Sequence, residues 1–296
     1  VSVHAVEARE LSKSFGAVLA VDALSLTVDA GEVVGFLGSN GAGKSTTLRL
    51  LLGLLRPSSG EATILGHAAG SPQARQHVAY VPGDVALWPQ LTGREAISLL
   101  GALHGALDNE YRDHLFEQFE LDPEKRIRAY SKGNRQKVAI IAAFATRADV
   151  LLLDEPTSGL DPLMERVFRD CVVEAQSRGQ AILLSSHMLS EVEHLCARVA
   201  MIRRGQLVTI ADVGDLRSHV GLEFDIVGTI GDLSHVVGVS DVTPTSDGVH
   251  LQLTGSPGPL LAALATQSVT SLRTREASLE EIFLSYYDQA APSFTP

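Results

Sequence analysis

Gly38-Ser39-Asn40-Gly41-Ala42-Gly43-Lys44-Ser45-Thr46 decides how this chain is read. Glycines at 38, 41 and 43 let the backbone curl so that successive N–H groups face one point, where any Cβ would obstruct an approaching phosphate. Ser39, Asn40, Ala42 and Thr46 complete the loop and its main-chain donors. Lys44 supplies positive charge for β- and γ-phosphates, and the Ser45 hydroxyl is placed to ligate Mg²⁺. Residues 33–37 (VVGFL) are an apolar run of strand type. Residues 46–53 read as a leucine-rich helix ended by its glycine. Strand, glycine loop and helix together put a helix N-terminus against the phosphates, so the stretch implies binding of a nucleoside triphosphate.

Working outward, residues 3–28 alternate apolar and polar side chains with breaks at Gly16 and Asp22, which predicts short antiparallel strands ahead of the loop. Residues 61–66 and 77–82 read as further strands. Residues 95–104, 111–119 and 135–145 carry apolar side chains at spacings of three and four, which predicts helices inserted into the α/β core. Residues 150–153 and 181–184 are continuous apolar runs of the buried parallel type, each followed by polar residues where ligands of such sheets collect. A hairpin turning at Gly205 closes this region. Beyond about residue 212 the order strand, helix near Leu233, strand near Val239, strand near Val249, helix over 259–265, strand near Leu272 fits a ferredoxin-like module, with a final helix over 279–287.

The 296 residues are enough for two domains. A formal charge of −11 excludes a general nucleic-acid binder, which needs a basic face. Cys171 and Cys196 lack the spacing of a metal site or a disulfide framework and read as core thiols of a reducing compartment. No run approaches the length of a membrane span, and no basic-then-apolar signal opens the chain. Work at a membrane would therefore require another polypeptide to cross it.

Downstream of the loop, Asp154 and Glu155 end the apolar run at 150–153. Adjacent carboxylates emerging from a buried strand are costly unless a metal or polar partner satisfies them, so Asp154 is assigned to Mg²⁺ and Glu155 to orienting water.

At this point the chain resembles the ATP-binding subunits of ATP-binding-cassette (ABC) transporters, from about Ala8 to Val208. Tyr130-Ser131-Lys132-Gly133-Asn134, followed by Arg135-Gln136-Lys137, resembles the family signature. Asp154-Glu155-Pro156-Thr157-Ser158-Gly159-Leu160-Asp161-Pro162 resembles the Walker B strand running into the D-loop, and His187 resembles the switch histidine. The resemblance implies that Phe15 stacks on adenine. It implies that Ser131 and Gly133 reach the γ-phosphate of ATP held by a second subunit, that Asp161 helps join the halves, and that Glu155, His187 and Lys44 are catalytic.

Two departures stand out. Gly83 occupies the position of the family's loop glutamine, which leaves Asp84 as the candidate replacement ligand for Mg²⁺. In the signature, Tyr130, Lys132 and Asn134 replace the commoner residues, a variant similar to that of daunorubicin-resistance exporters. Trp88 either lines the groove for a transmembrane subunit or packs inside the helical block.

The expected architecture is an α/β P-loop ATPase core over residues 1–212, with N-terminal antiparallel strands and a helical subdomain over about 84–145. A small α+β accessory domain, ferredoxin-like in element order, follows over 213–296. The resemblance implies an ATPase with ATP and Mg²⁺ as cofactors, a second ATPase subunit and a transmembrane permease as partners, and no nucleic acid. It also implies a place on the cytoplasmic face of the membrane, with membrane contact through the permease alone and efflux of drugs or other hydrophobic molecules as the task. The alternatives are an ATP-binding regulatory subunit with little hydrolysis and a soluble cassette ATPase.

Overall fold

Continuous apolar runs become strands buried on both faces, and here they form the middle of a parallel sheet. The computed structural model describes residues 3–276 and Glu281. It divides into two units, Val1–Ile210 and Ala211–Pro296.

In the first unit, β1 (Val6–Phe15) and β2 (Val18–Val28) form an antiparallel hairpin turning at Gly16. β3 (Val33–Leu37) enters the glycine loop, and α1 (Lys44–Leu51) leaves it. The helix starts two residues earlier than the leucine pattern indicates, because Lys44 and Ser45 already belong to its first turn. Gly53, at φ 67°, follows its C-terminus. β4 (Ser59–Ile64) and β5 (His67–Ala68) complete a sheet of order β2-β1-β4-β5. The short α2 (Pro72–Arg75) leads into β6 (Val78–Val81).

The helical block contains α3 (Gly93–His104), α4 (Asn109–Gln118) and α5 (Lys132–Ala145). Thr92 and Glu95 cap α3 reciprocally, side chain to backbone in both directions. β7 (Val150–Asp154), α6 (Pro162–Ser177), β8 (Ala181–Ser186), α7 (Leu189–Leu195), β9 (Arg198–Arg203) and β10 (Gln206–Asp212) follow. The second sheet has the order β10-β9-β3-β8-β7-β6, parallel from β9 to β6. Arg204 and Gly205, both at positive φ, make the two-residue turn between β9 and β10.

One core joins the two sheets. Leu48, Leu50 and Leu51 of α1 bury with Leu11, Leu24 and Ile64 of the antiparallel sheet and with Phe36, Leu152 and Leu183 of the parallel one. That packing fixes α1, and with it the glycine loop, over the carboxyl ends of β3, β7 and β8. Cys171 and Cys196 are buried free thiols, and burial pushes the Cys171 thiol up to about 12.

The second unit opens with α8 (Val213–Val220). β11 (Leu222–Thr229), β12 (Val239–Pro244), β13 (Gly248–Leu253), α9 (Gly258–Leu264) and β14 (Ser268–Glu276) follow. They form an antiparallel sheet of order β12-β13-β11-β14, with Phe224, Leu251, Leu253, Leu260 and Leu264 in its core. β11 and β12 lie either side of β13, the split arrangement expected of a ferredoxin-like module. The helix expected near Leu233 is instead a turn: the Asp232 carboxylate accepts from Ser234 N at 2.9 Å, and Leu233 and Val236 plug the core. The turn is closed by Val236 N donating to Leu233 O at 3.0 Å. The final helix expected over 279–287 lies outside the described residues.

Candidate functional site

The glycine loop shows why its residue types are needed. Gly43 sits at φ 113°, and a Cβ there would come within 2.5 Å of the Ala20 carbonyl. No side chain fits without moving β2, so the loop requires glycine here to keep its turn. Lys44, buried to 5% exposure, donates from Nζ to Gly38 O at 2.6 Å and lies 3.4 Å from Glu155 Oε1.

Sheet register brings the acids to this loop. β7 pairs with β8 so that Asp154 lies opposite Ser185. Ser185 Oγ donates to Asp154 Oδ1 at 2.7 Å, and Ser45 Oγ donates to the same oxygen at 3.1 Å. Tyr80 OH reaches Asp154 Oδ2 at 3.5 Å. Burial, then the Asp154 charge, pushes the Tyr80 phenol up to about 12, against the opposing pull of Arg49. Tyr80 therefore stays neutral and can donate across the range in which such a site works.

Glu155 follows at φ 48°, a left-handed conformation uncommon for its residue type, held by its N–H donating to Ser185 O at 3.0 Å. Its Oε2 hydrogen-bonds His187 Nδ1. The carboxylate is thus placed between Lys44 and the histidine. Gly83 packs against this turn: a Cβ there would lie 3.2 Å from Asp154 O and 3.5 Å from Glu155 Cβ.

Lys44, Ser45, Arg49, Tyr80, Gly83, Asp154, Glu155 and His187 line one open cleft of 470 Å³, together with Ser39, Asn40, Gly41, Gly43, Thr46 and Asp84, and Ser185 is buried behind it. Asp84 is an exposed side chain at its rim. Ala42 is buried behind the loop, and Gly38 contributes its carbonyl to Lys44. The site fits the group its motifs imply. A curled main chain with one buried ammonium suits a polyphosphate, and a serine hydroxyl beside a carboxylate is a hard oxygen pair suited to Mg²⁺.

Other assigned residues stand elsewhere. Phe15, 48% exposed, lies at the end of β1 with Lys13 Nζ 5.2 Å from its ring centroid, outside the cleft lining. Ser131 caps α5, accepting from Asn134 N at 3.2 Å, and Asp161 caps α6, accepting from Leu163 N and Met164 N. Gly133 abuts the D-loop, where a Cβ would come within 2.4 Å of Gly159 O. Gln136, buried in α5, donates to Pro156 O at 2.9 Å, and Lys132 Nζ donates to Ser158 Oγ at 3.1 Å. The signature helix and the D-loop are therefore joined within the chain. Trp88 is 47% exposed, which overturns its packing inside the helical block.

Sequence reasoning missed Arg49, Tyr80 and Ser185. Arg49 stands one helical turn beyond Ser45 on the same face of α1, a spacing that was available to find it. Tyr80 and Ser185 sit at carboxyl ends of strands, where the sheet rule points, but only register shows that they meet Asp154.

Comparison with known proteins agrees with this geometry. Residues 21–158 match the ABC transporter family. The chain is 33% identical over 293 residues to the Nod factor export ATP-binding protein I of Cupriavidus pinatubonensis, covering 94% of this chain and 89% of that one. It is 29% identical over 301 residues to the linearmycin resistance ATP-binding protein LnrL of Bacillus subtilis, covering 94% and 97%. Against an ABC transporter ATP-binding protein of Nostoc it is 37% identical over 206 residues, covering 67% of this chain and 62% of that protein's length. A solved ATP-binding subunit of an ABC transporter superposes with TM-score 0.68 at 31% identity, covering 72% of this chain and 92% of the other. A glycine loop, a carboxylate pair and a histidine in one cleft, within relatives of this kind, place the chain among the ATP-binding subunits of ABC transporters.

Proposed function

We propose that this chain is the ATP-hydrolysing subunit of an exporter, paired with a second copy around two MgATP and driving a separate permease for hydrophobic small molecules of the antibiotic class. The observation that carries the reading is the convergence of Lys44, Ser45, Asp154, Glu155 and His187 on one cleft. Ser45 and Asp154 would hold Mg²⁺, which when bound would supply positive charge to neutralise the phosphates. Glu155 would orient and polarise the attacking water, and Lys44 and His187 would hold the γ-phosphate. Phosphoryl transfer asks mainly for such positioning and charge stabilisation. Asp84, at the cleft rim, is the proposed substitute for the family's glutamine.

Ser131, Gly133 and Asp161 serve the same reaction only if a second copy offers them, because they stand outside the cleft lining of their own chain. This supports a homodimer with shared sites. The export and resistance functions named for two relatives support efflux, with the chain at the cytoplasmic face of the membrane. Among the described residues, no helix is long and apolar enough to cross a membrane. The second unit is proposed as an accessory domain.

The test uses a tagged Glu155→Gln chain, with and without MgATP, sized in solution and used to capture partners from solubilised membranes. The expected result is an ATP-dependent dimer and recovery of a multi-span protein. A chain that stays monomeric at saturating MgATP, or that captures soluble machinery alone, contradicts the reading. Gly83 at the glutamine position favours a second reading, a regulatory subunit that binds ATP and hardly hydrolyses it. Turnover by the assembled wild-type complex separates the two.

A further inference from the structure

A buried carboxyl that belongs to none of the matched motifs joins the D-loop to the switch segment. Glu191, in the first turn of α7, is 8% exposed. Its Oε2 accepts from Ser186 Oγ at 2.9 Å and from Thr157 Oγ1 at 3.3 Å. Ser186 immediately precedes His187, and Thr157 lies between Glu155 and Asp161. The other oxygen, Oε1, is buried and has no hydrogen-bond partner among the described residues. It is one of few buried polar atoms left in that condition, and such an atom lowers stability relative to a satisfied or apolar one. A side chain that destabilises the fold while bridging two functional segments is a candidate for a role in function.

We propose that Glu191 is a positioning residue for ATP hydrolysis, a latch that holds the segment leaving Glu155 against the segment carrying His187 by accepting from both of their neighbouring hydroxyls at once. This rests on the assignment of Glu155 and His187 to the hydrolytic step. The geometry gives the latch something to hold. Glu155 sits at a positive φ that its own side chain does not favour, and its hydrogen bond to His187 joins two segments just beyond the last paired residues of β7 and β8. Small displacements of reacting groups cost large factors in rate.

The groups facing Glu191 are Glu165 and Arg169 of α6, His194 of α7, Glu155 beyond β7, and Cys196 just past α7. Burial raises the Glu191 carboxyl to about 7, and Glu165 and Glu155 push the same way, against the Ser186 and Thr157 hydroxyls. In either protonation state Oε2 remains an acceptor. A glutamine at this position keeps that acceptor and cannot ionise.

The experiment compares steady-state ATP turnover of the full chain for wild type, Glu191→Ala and Glu191→Gln, with Glu155→Gln as control. Glu191→Ala is expected to lower kcat about tenfold or more with KM for ATP within about twofold. Glu191→Gln is expected to stay within about threefold of wild type and to flatten the pH dependence of kcat between about pH 6 and 8. Wild-type kcat in the alanine variant overturns the latch. So does equal damage by alanine and glutamine with kcat and KM shifting together, which marks a packing role. Should alanine prevent folding, Thr157→Val deletes one donor and leaves the carboxyl in place: lowered kcat supports the latch, unchanged kcat overturns it. Undiminished turnover by Glu155→Gln identifies the hydrolytic assignment as the failing premise.

Discussion

Replacing Glu191 by glutamine should stabilise the protein, and increasingly so as pH rises. In the unfolded chain its carboxyl titrates near the ordinary 4.5, and in the fold near 7. Below the lower value both states hold the proton and contribute no difference. Between the two the unfolded chain releases a proton that the fold retains, so wild-type stability falls with pH. Above the folded value the loss levels off. At about 1.4 kcal/mol per pH unit, the full penalty is about 3 kcal/mol. A folded pKa raised above the unfolded one gives stability at low pH that is lost as pH rises, and glutamine has no proton to lose. In a domain of this size the difference corresponds to roughly 6–12 °C in Tm. Thermal or urea unfolding of both proteins from about pH 5 to 8 measures it, and titrating groups remote from Glu191 cancel in the comparison. A variant-minus-wild-type difference that does not change with pH would refute the reasoning, because a lost or gained hydrogen bond alone gives a constant offset.

Gly133→Ala places a Cβ within 2.4 Å of Gly159 O and must push the signature helix off the D-loop. Overpacking of this kind costs about 1–3 kcal/mol; a melt showing that loss, with turnover down by more than tenfold, is expected, and wild-type turnover would contradict the contact's importance. Asp84→Ala is expected to raise the Mg²⁺ concentration needed for half-maximal turnover by about tenfold if Asp84 stands in for the missing glutamine. An unchanged Mg²⁺ titration removes that assignment.

Local features were legible in the chain because they are encoded within a few residues. The glycine loop, the buried runs at 33–37, 150–153 and 181–184, and the helical periodicity at 95–104 each state their own backbone requirement, and the order of motifs carried the family. Asp154 and Glu155 were singled out because they end an apolar run and His187 because of the family resemblance, and the structure brings all three to one cleft. Sequence by itself did not determine which distant groups meet. Ser45 and Asp154 are 109 residues apart and share a hydrogen bond only because α1 packs over a sheet in which β3, β8 and β7 are neighbours. The pairing of Asp154 with Ser185 is a matter of strand register, which no local pattern specifies. Gly83 looked like a lost ligand; in the fold it is also a glycine pressed against the turn at Glu155. Trp88 proved exposed, and Leu233 sits in a turn where a helix had been expected, because tertiary contacts override local apolar spacing. Glu191 carried no signal at all. Its meaning comes from burial and from two hydroxyls on other segments, and those are properties of packing that a linear pattern does not contain.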